Sequence, residues 1–209
     1  MNEDREVLII GAGGHAKVVA DILLCAGFTV IGFLDDDPTT WGQQRLGLPV
    51  LGGIDTYASH GPAGLVMGIG DNITRMQVVG RLGLQTDKLW RPAIHPRATL
   101  AASVLIGHGV VVAAGAVVNP DSVLGDHVII NTGATVDHDC EIGDYAHIAP
   151  GVHISGGVRV GMGTLIGVGA SVAPARTIGV GAIVGAGAAV VHDLPDGVTA
   201  KGVPARFQR

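Results

Sequence analysis

From Ile94 to Val190 the chain repeats with a period of six residues, and this restricts its fold more tightly than anything else in the sequence. Stepping by six gives Ile94, Leu100, Ile106, Val112, Val118, Leu124, Ile130, Val136, Ile142, Ile148, Ile154, Val160, Ile166, Val172, Ile178, Val184 and Val190. Every one is aliphatic. Four residues after each lies a second slot with small or apolar occupants such as Ala98, Val110, Ala134, Cys140 and Ala182, Arg176 being the exception. One hexad is too short to bury its aliphatic residue or satisfy its own backbone, whereas stacked copies do both. The spacing predicts a closed triangular β-helix, with three hexads to a coil and about five coils between 94 and 189, each rising ~4.8 Å. Aromatics make up only 3% of the chain and glycines number 34, which fits short strands, tight bends and a core of Val, Ile, Leu and Ala.

The N-terminal third follows a different pattern. VLII (7–10) reads as a buried strand, GAGGHAKVVADILLCAG as a glycine turn and an amphipathic helix ending at Gly27, and TVIGFLDDD as a second strand capped by acids. LVMGIG (65–70) reads as a further strand before a helical DNITRMQVVGRLG. Two domains are expected: a small α/β unit over 1–90, a Rossmann-like half domain, and the parallel β-helix with a C-terminal tail over 91–209.

Charge and composition exclude several classes of partner. A net charge of −5 and a pI near 5.9 leave no basic footprint for nucleic acid or for an anionic membrane. No apolar run approaches the roughly 20 residues of a spanning helix, and the polar, acidic opening MNEDREVLII is unlike a signal peptide. A cytoplasmic protein is expected. Cys25 and Cys140 are too few and too far apart for a disulfide framework, and Cys140 falls in an inward slot of the repeat.

Gly11, Gly13 and Ala16 follow the first strand with G-x-G-x-x-[GA] spacing, and Asp35 stands at the end of the next strand. About 90 residues hold only half of a dinucleotide fold, so a nucleotide-carrying ligand fits better than NAD. The amides of Gly13, Gly14 and His15 at a helix N-terminus suit a diphosphate, and Asp35 and Asp36 suit base or ribose hydroxyls. A tight βα turn with solvated acids is the structural alternative. In VDHDCEIGDYAHIAPGVHIS, His138 is third in its hexad, near a bend, with Asp139 beside it. An imidazole whose second nitrogen is held by a carboxylate is a general base in outline, provided the bend brings the two side chains together. His147 and His153 occupy the sixth positions of their hexads, and their spacings do not place three histidines together as a zinc site on one coil.

With these motifs in order, through GAGGHAKVV, FLDDD, GIGDN, HDCEIGDYAHIAPG and GVPAR, the chain resembles bacterial sugar acyltransferases that join a nucleotide-sugar-binding α/β domain to a left-handed β-helix. That group includes N-acetyltransferases of UDP-linked 4-amino sugars and sialic-acid O-acetyltransferases. The resemblance implies the left hand of the helix, a homotrimer with sites between neighbouring helices, and acetyl-CoA as co-substrate without a metal. It implies His138 as catalytic base and Asp139 as the acid that raises its basicity, where some members have Glu. It further implies that His147, Gly167, Val168 and Ala186 contact acetyl-CoA, and that Gly13, Gly14, His15, Asp35, Asp36, Met67 and Gly70 contact the nucleotide-linked amino sugar. Arg176, Lys201 and Arg206 are basic candidates for the CoA phosphates. Competing expectations are a sugar O-acetyltransferase using the same pair, a metal-dependent hydratase, a non-catalytic nucleotide-sugar sensor and an NAD oxidoreductase.

Overall fold

The structure is a computed structural model and describes residues 5–207. The acidic opening residues 1–4 lie outside this range. The chain divides after Pro96 into two compact units, Met1–Pro96 and Arg97–Arg209.

In the first unit, β1 (Glu6–Ile10) leads through α1 (Gly14–Cys25) to β2 (Thr29–Leu34). β3 (Gln44–Arg45) and β4 (Leu48–Gly52) follow, then β5 (Gly64–Met67) and α2 (Asn72–Leu82). The sheet order is β3-β4-β2-β1-β5, parallel except for the β3–β4 pair. β4 was not legible in the sequence, because Pro49 and Gly52 interrupt a short strand that only its pairing with β2 defines. The chain leaves β1 in one direction towards β2 and returns on its other side at β5, so a crevice opens at the carboxyl ends of these strands. Leu8, Ile10, Leu34, Leu65, Met67, Val78, Leu82 and Trp90 pack together as the core beneath that crevice. α2 is capped by the Asp71 side chain, which accepts from Thr74 N at 2.8 Å.

The second unit is a three-faced parallel β-helix of two-residue strands. Thr135–Val136 pairs with Val117–Val118 and His153–Ile154 on the first face, and Glu141–Ile142 pairs with Val123–Leu124 and Arg159–Val160 on the second. On the third face His147–Ile148 pairs with Ile129–Ile130 and Leu165–Ile166. Partners are one coil apart, as the period required. The arrangement is that of the left-handed β-helix of hexapeptide repeats. The aliphatic ladder is buried from Val112 to Val190, while Ile106 in the first coil remains 38% exposed because it has a stacked neighbour on one side only. Polar residues in the small slots are satisfied internally: Ser122 Oγ donates to Asp137 O at 2.8 Å and Thr164 Oγ1 to Gly179 O at 2.6 Å. Arg176 turns outward, Nε donating to Pro174 O at 3.1 Å.

Two features went beyond the sequence pattern. The coils continue past Val190 to Thr199–Ala200, but with a slip: Leu194 bridges Ile178, and Ala200 pairs with Val184. From Gly109 on, the bends also contain one left-handed residue at a second six-residue interval: Gly109, Gly115, Asp121, His127, Gly133, Asp139, Tyr145, Gly151 and onward. Where this series abandons glycine at His127 and Tyr145, the two rings stack with centroids 5.2 Å apart. No helix of the described residues is long and apolar enough to cross a membrane.

Candidate active site

Asp139 belongs to this left-handed series, with φ +57°. Most positions in the series are glycine, and holding a side chain there costs ~1–2 kcal/mol, least for Asp and Asn. The same backbone turn swings the Asp139 carboxylate alongside its neighbour, so that Asp139 Oδ2 lies 2.7 Å from His138 Nδ1. Adjacent residues on a regular strand would point to opposite faces; the bend supplies the convergence that the pair requires. The contact fixes the imidazole proton on Nδ1 and leaves Nε2 as the basic nitrogen. The Asp139 hydrogen bond, with the Asp137 charge behind it, raises the His138 pKa above its ordinary value.

Three further residues shape this bend, and none was singled out from the sequence. Asp137 Oδ1 accepts from His138 N at 2.9 Å and from Asn119 Nδ2 at 2.9 Å, tying the turn to the preceding coil. The Asn119 bond holds the Asp137 carboxyl below its usual range. In the following coil, a β-carbon on Gly156 would sit 2.7 Å from both Cε1 and Nε2 of His138. The ring therefore lies over Gly156. The only sequence signal is the coil length: Asn119 to Asp137 and His138 to Gly156 are each one coil.

The remaining β-helix candidates lie elsewhere on the prism. His147 stands half-buried on the third face, its Nε2 3.1 Å from Asn131 Nδ2. Val168, 56% exposed, and Ala186 lie on the bends that follow that same face. Gly167 joins them, but a β-carbon there would meet Val184 O at 2.6 Å, so coil stacking already accounts for this glycine. His138 lies on the bend between the other two faces, the edge opposite the third face. One chain therefore does not bring His138 and His147 together. His153 stands on the first face, where Thr135 Oγ1 lies 2.9 Å from its Nδ1. The three histidines do not converge in one chain. Cys140 is fully buried, its thiol pushed up by burial, and takes no part in the surface chemistry. At the C-terminal end, Thr199, Lys201, Arg206 and Phe207 line a basic cavity of about 450 Å³. A groove of about 560 Å³ runs along the second face, lined by Glu141 and Arg159, which lie 3.5 Å apart, and includes none of the predicted site residues.

In the α/β unit a cavity of about 300 Å³ opens at this crevice, lined by Gly13, Gly14, His15, Asp35, Asp36, Gly70 and Thr74. Gly13 caps α1 with an extended backbone, no side chain caps the helix, and its first turn carries no acid. A β-carbon on Gly13 or Gly14 would meet nothing within 4 Å. Neither internal packing nor dihedral angle calls for glycine there, and the bare helix N-terminus leaves backbone amides open to the cavity. Gly68 and Ala16 differ: a β-carbon on Gly68 would lie 2.9 Å from Ala16 Cβ, which is helix-to-strand packing.

The two acids are partly engaged already. Asp35 Oδ2 accepts from Ala12 N at 2.6 Å and Oδ1 from Asp37 N at 2.9 Å, while Asp36 accepts from Ile54 N at 3.1 Å and pairs with Arg81 at 2.7 Å. They shape the loop as well as facing the cavity. Met67 lies apart from it: at 1% exposure its side chain belongs to the core, beneath the strand end. Arg75, unremarked in the sequence, is fully buried and donates to Ile69 O, Gly70 O and Asn72 Oδ1 at 3.1, 3.0 and 2.8 Å, holding the far wall.

A helix N-terminus facing an anion-sized cavity, coupled to a hexapeptide β-helix with a carboxylate-held histidine, defines a hexapeptide-repeat transferase with a nucleotide-type acceptor domain. Residues 6–82 match the model of the PglD N-terminal domain and residues 121–156 that of the bacterial transferase hexapeptide (six repeats). The chain belongs to the nucleotide-sugar N-acetyltransferase family built from these two parts. PerB from Caulobacter crescentus, solved in complex with CoA and GDP-perosamine, is 46% identical with a TM-score of 0.91, over 98% of this chain and 97% of that one. Variants of that enzyme with one histidine replaced by asparagine or alanine have been solved with the same two ligands. The acetyltransferase domain of PglB from Neisseria gonorrhoeae, in complex with acetyl coenzyme A, is 42% identical with a TM-score of 0.90, over 98% and 99% of the two chains. UDP-N-acetylbacillosamine N-acetyltransferase of Bacillus subtilis is 40% identical over 113 residues, 53% of this chain and 52% of that protein. The chain thus spans about half the length of this curated relative, and 23% of that of a mimivirus relative.

Proposed function

We propose that this protein transfers the acetyl group of acetyl-CoA to the amine of a nucleotide-linked amino sugar, directly and with His138 as general base. The observation that carries the reading is the 2.7 Å contact between His138 Nδ1 and Asp139, made possible by a left-handed residue where the repeat ordinarily places glycine. The outward Nε2 accepts a proton from the sugar amine as its nitrogen bonds to the thioester carbonyl carbon. The carbon–sulfur bond then breaks, and CoA leaves as the thiol, its sulfur taking the proton back from the His138 imidazolium. A backbone N–H or His147 stabilises the developing oxyanion. The ligands of PerB and PglB support the same two substrates here.

The diphosphate sits on the amides of Gly13, Gly14 and His15, with Asp35, Asp36 and Gly70 around the nucleoside and sugar. Met67 supports the strand beneath. The acetyl and pantetheine portions lie against His147, Gly167, Val168 and Ala186, and Lys201 and Arg206 offer the charge for the CoA phosphates.

The working form is a homotrimer. His138 is 60% exposed and lies on the edge opposite the face of His147, so a site containing both needs a neighbouring helix to supply one of them. Three prisms around an axis wall in each edge histidine. The cytoplasm, where acetyl-CoA and nucleotide sugars are made, is the compartment that suits this chemistry.

The test is thiol release from acetyl-CoA with a panel of UDP-, GDP- and dTDP-linked 4-amino sugars, beside free sialic acid. Release with one amino-sugar nucleotide, lowered ~10²–10⁴-fold in H138A with nucleotide-sugar binding intact, is the expected result. Release with sialic acid alone would assign O-acetylation instead, and no release with any acceptor would leave a binding protein.

A further inference from the structure

The α/β unit holds a second cluster of donor atoms, on α1 but away from the cavity. Asp21 and Cys25 stand four residues apart on the helix, so their side chains share one face. His95, only 4% exposed, meets them from the segment after Ala93–Ile94. One ligand atom from each residue lies within 4.8 Å of the other two. Acetyl transfer uses none of the three.

We propose that Asp21, Cys25 and His95 bind a divalent cation of the zinc class, with water in the fourth position. The donor chemistry selects the ion: thiolate and imidazole favour Zn²⁺, whereas Mg²⁺ and Ca²⁺ require oxygen ligands. Zinc bonds of about 2.0–2.3 Å place tetrahedral donors roughly 3.3–3.8 Å apart. Closing from within 4.8 Å asks for about an ångström of movement, which the exposed Asp21 and Cys25 side chains can supply around a buried His95. Their exposure also provides the entry path. The ion would pin the C-terminal half of α1 to the segment carrying His95, steadying the helix whose other end forms the glycine cradle. Its role is structural.

The experiment uses the full chain freed of metal with a chelator and then titrated with cobalt chloride or zinc chloride. Cobalt should produce the visible bands of a tetrahedral site and a near-ultraviolet thiolate charge-transfer band, both displaced by zinc, and zinc should raise Tm. C25S should abolish the charge-transfer band and weaken zinc binding at least ~10-fold, since even changes outside the ligand set cost 10–100-fold. D21N should weaken binding while keeping the charge-transfer band. Both substitutions change exposed side chains, and an unchanged metal-free Tm establishes that the variants are folded. Absence of cobalt bands at millimolar metal, a zinc titration that leaves Tm unmoved, or a charge-transfer band that survives C25S would each overturn the assignment.

Discussion

Gly156→Ala offers a test of the active-site geometry that touches neither His138 nor Asp139. The added methyl would lie 2.7 Å from Cε1 and Nε2 of His138. Ordinary carbon contacts fall at about 3.5–4.0 Å, so the ring must retreat by roughly 1 Å. It can do so cheaply, because the His138 side chain is 60% exposed, and Gly156 itself is not in the left-handed region. Stability should therefore change by no more than about 0.5 kcal/mol. A misplacement of ~1 Å at a reacting group, however, can cost ~10²-fold. Thiol-release kinetics with acetyl-CoA and the preferred amino-sugar nucleotide should show kcat falling on that scale, with Tm and nucleotide-sugar binding retained. In an H138A background the same substitution should do almost nothing further. Wild-type kcat in G156A, or an equal additional loss in H138A, would refute the placement of the ring over Gly156 as the catalytic arrangement.

Asp139→Gly should relieve the left-handed strain and hold or slightly raise Tm, while lowering kcat; calorimetry and the acetyl-transfer assay separate the two effects. Asp139→Asn should shift the acidic limb of the kcat/KM profile to lower pH, because the hydrogen bond to a charged carboxylate is what raises the His138 pKa, and a neutral amide oxygen is a weaker acceptor. Since this pKa is raised in the folded state, the pair's contribution to stability is full below about 6.5 and is lost as pH rises through the folded value, so the Tm gap between wild type and D139N should close on going alkaline. Gly14→Ala should stabilise α1 by ~0.5–1 kcal/mol yet raise KM for the nucleotide sugar, as the methyl enters the cavity proposed for the diphosphate. Arg75→Met should cost ~3 kcal/mol by removing the Arg75 donors to the Ile69 and Gly70 carbonyls, measurable by urea titration.

How legible each part was follows from the range of the interactions behind it. The β-helix was plain in the spacing, because each coil repeats one local solution and the aliphatic ladder records it residue by residue. The glycine turn before α1 was equally plain, since a strand, a bare helix N-terminus and the acids after the next strand lie within one βαβ unit. β4 was hidden because its strand character comes from β2 beside it. The slip after Val190 was hidden because Leu194 takes its place by bridging Ile178, whatever the six-residue count assigns to it. Met67 was expected as a ligand contact from the family resemblance; its side chain packs into the core of the α/β unit instead.

By itself the sequence determined the architecture and offered His138 with Asp139 beside it as the candidate base, since periodicity and residue type are local properties. Only the tertiary structure decided that Asp139 reaches its neighbour, that Gly156 of the next coil accommodates the imidazole, and that His138 and His147 lie on opposite sides of one prism. Those relations arise from the left-handed bend and from stacking one coil on another. They join residues far apart along the chain through a geometry that no single hexad contains.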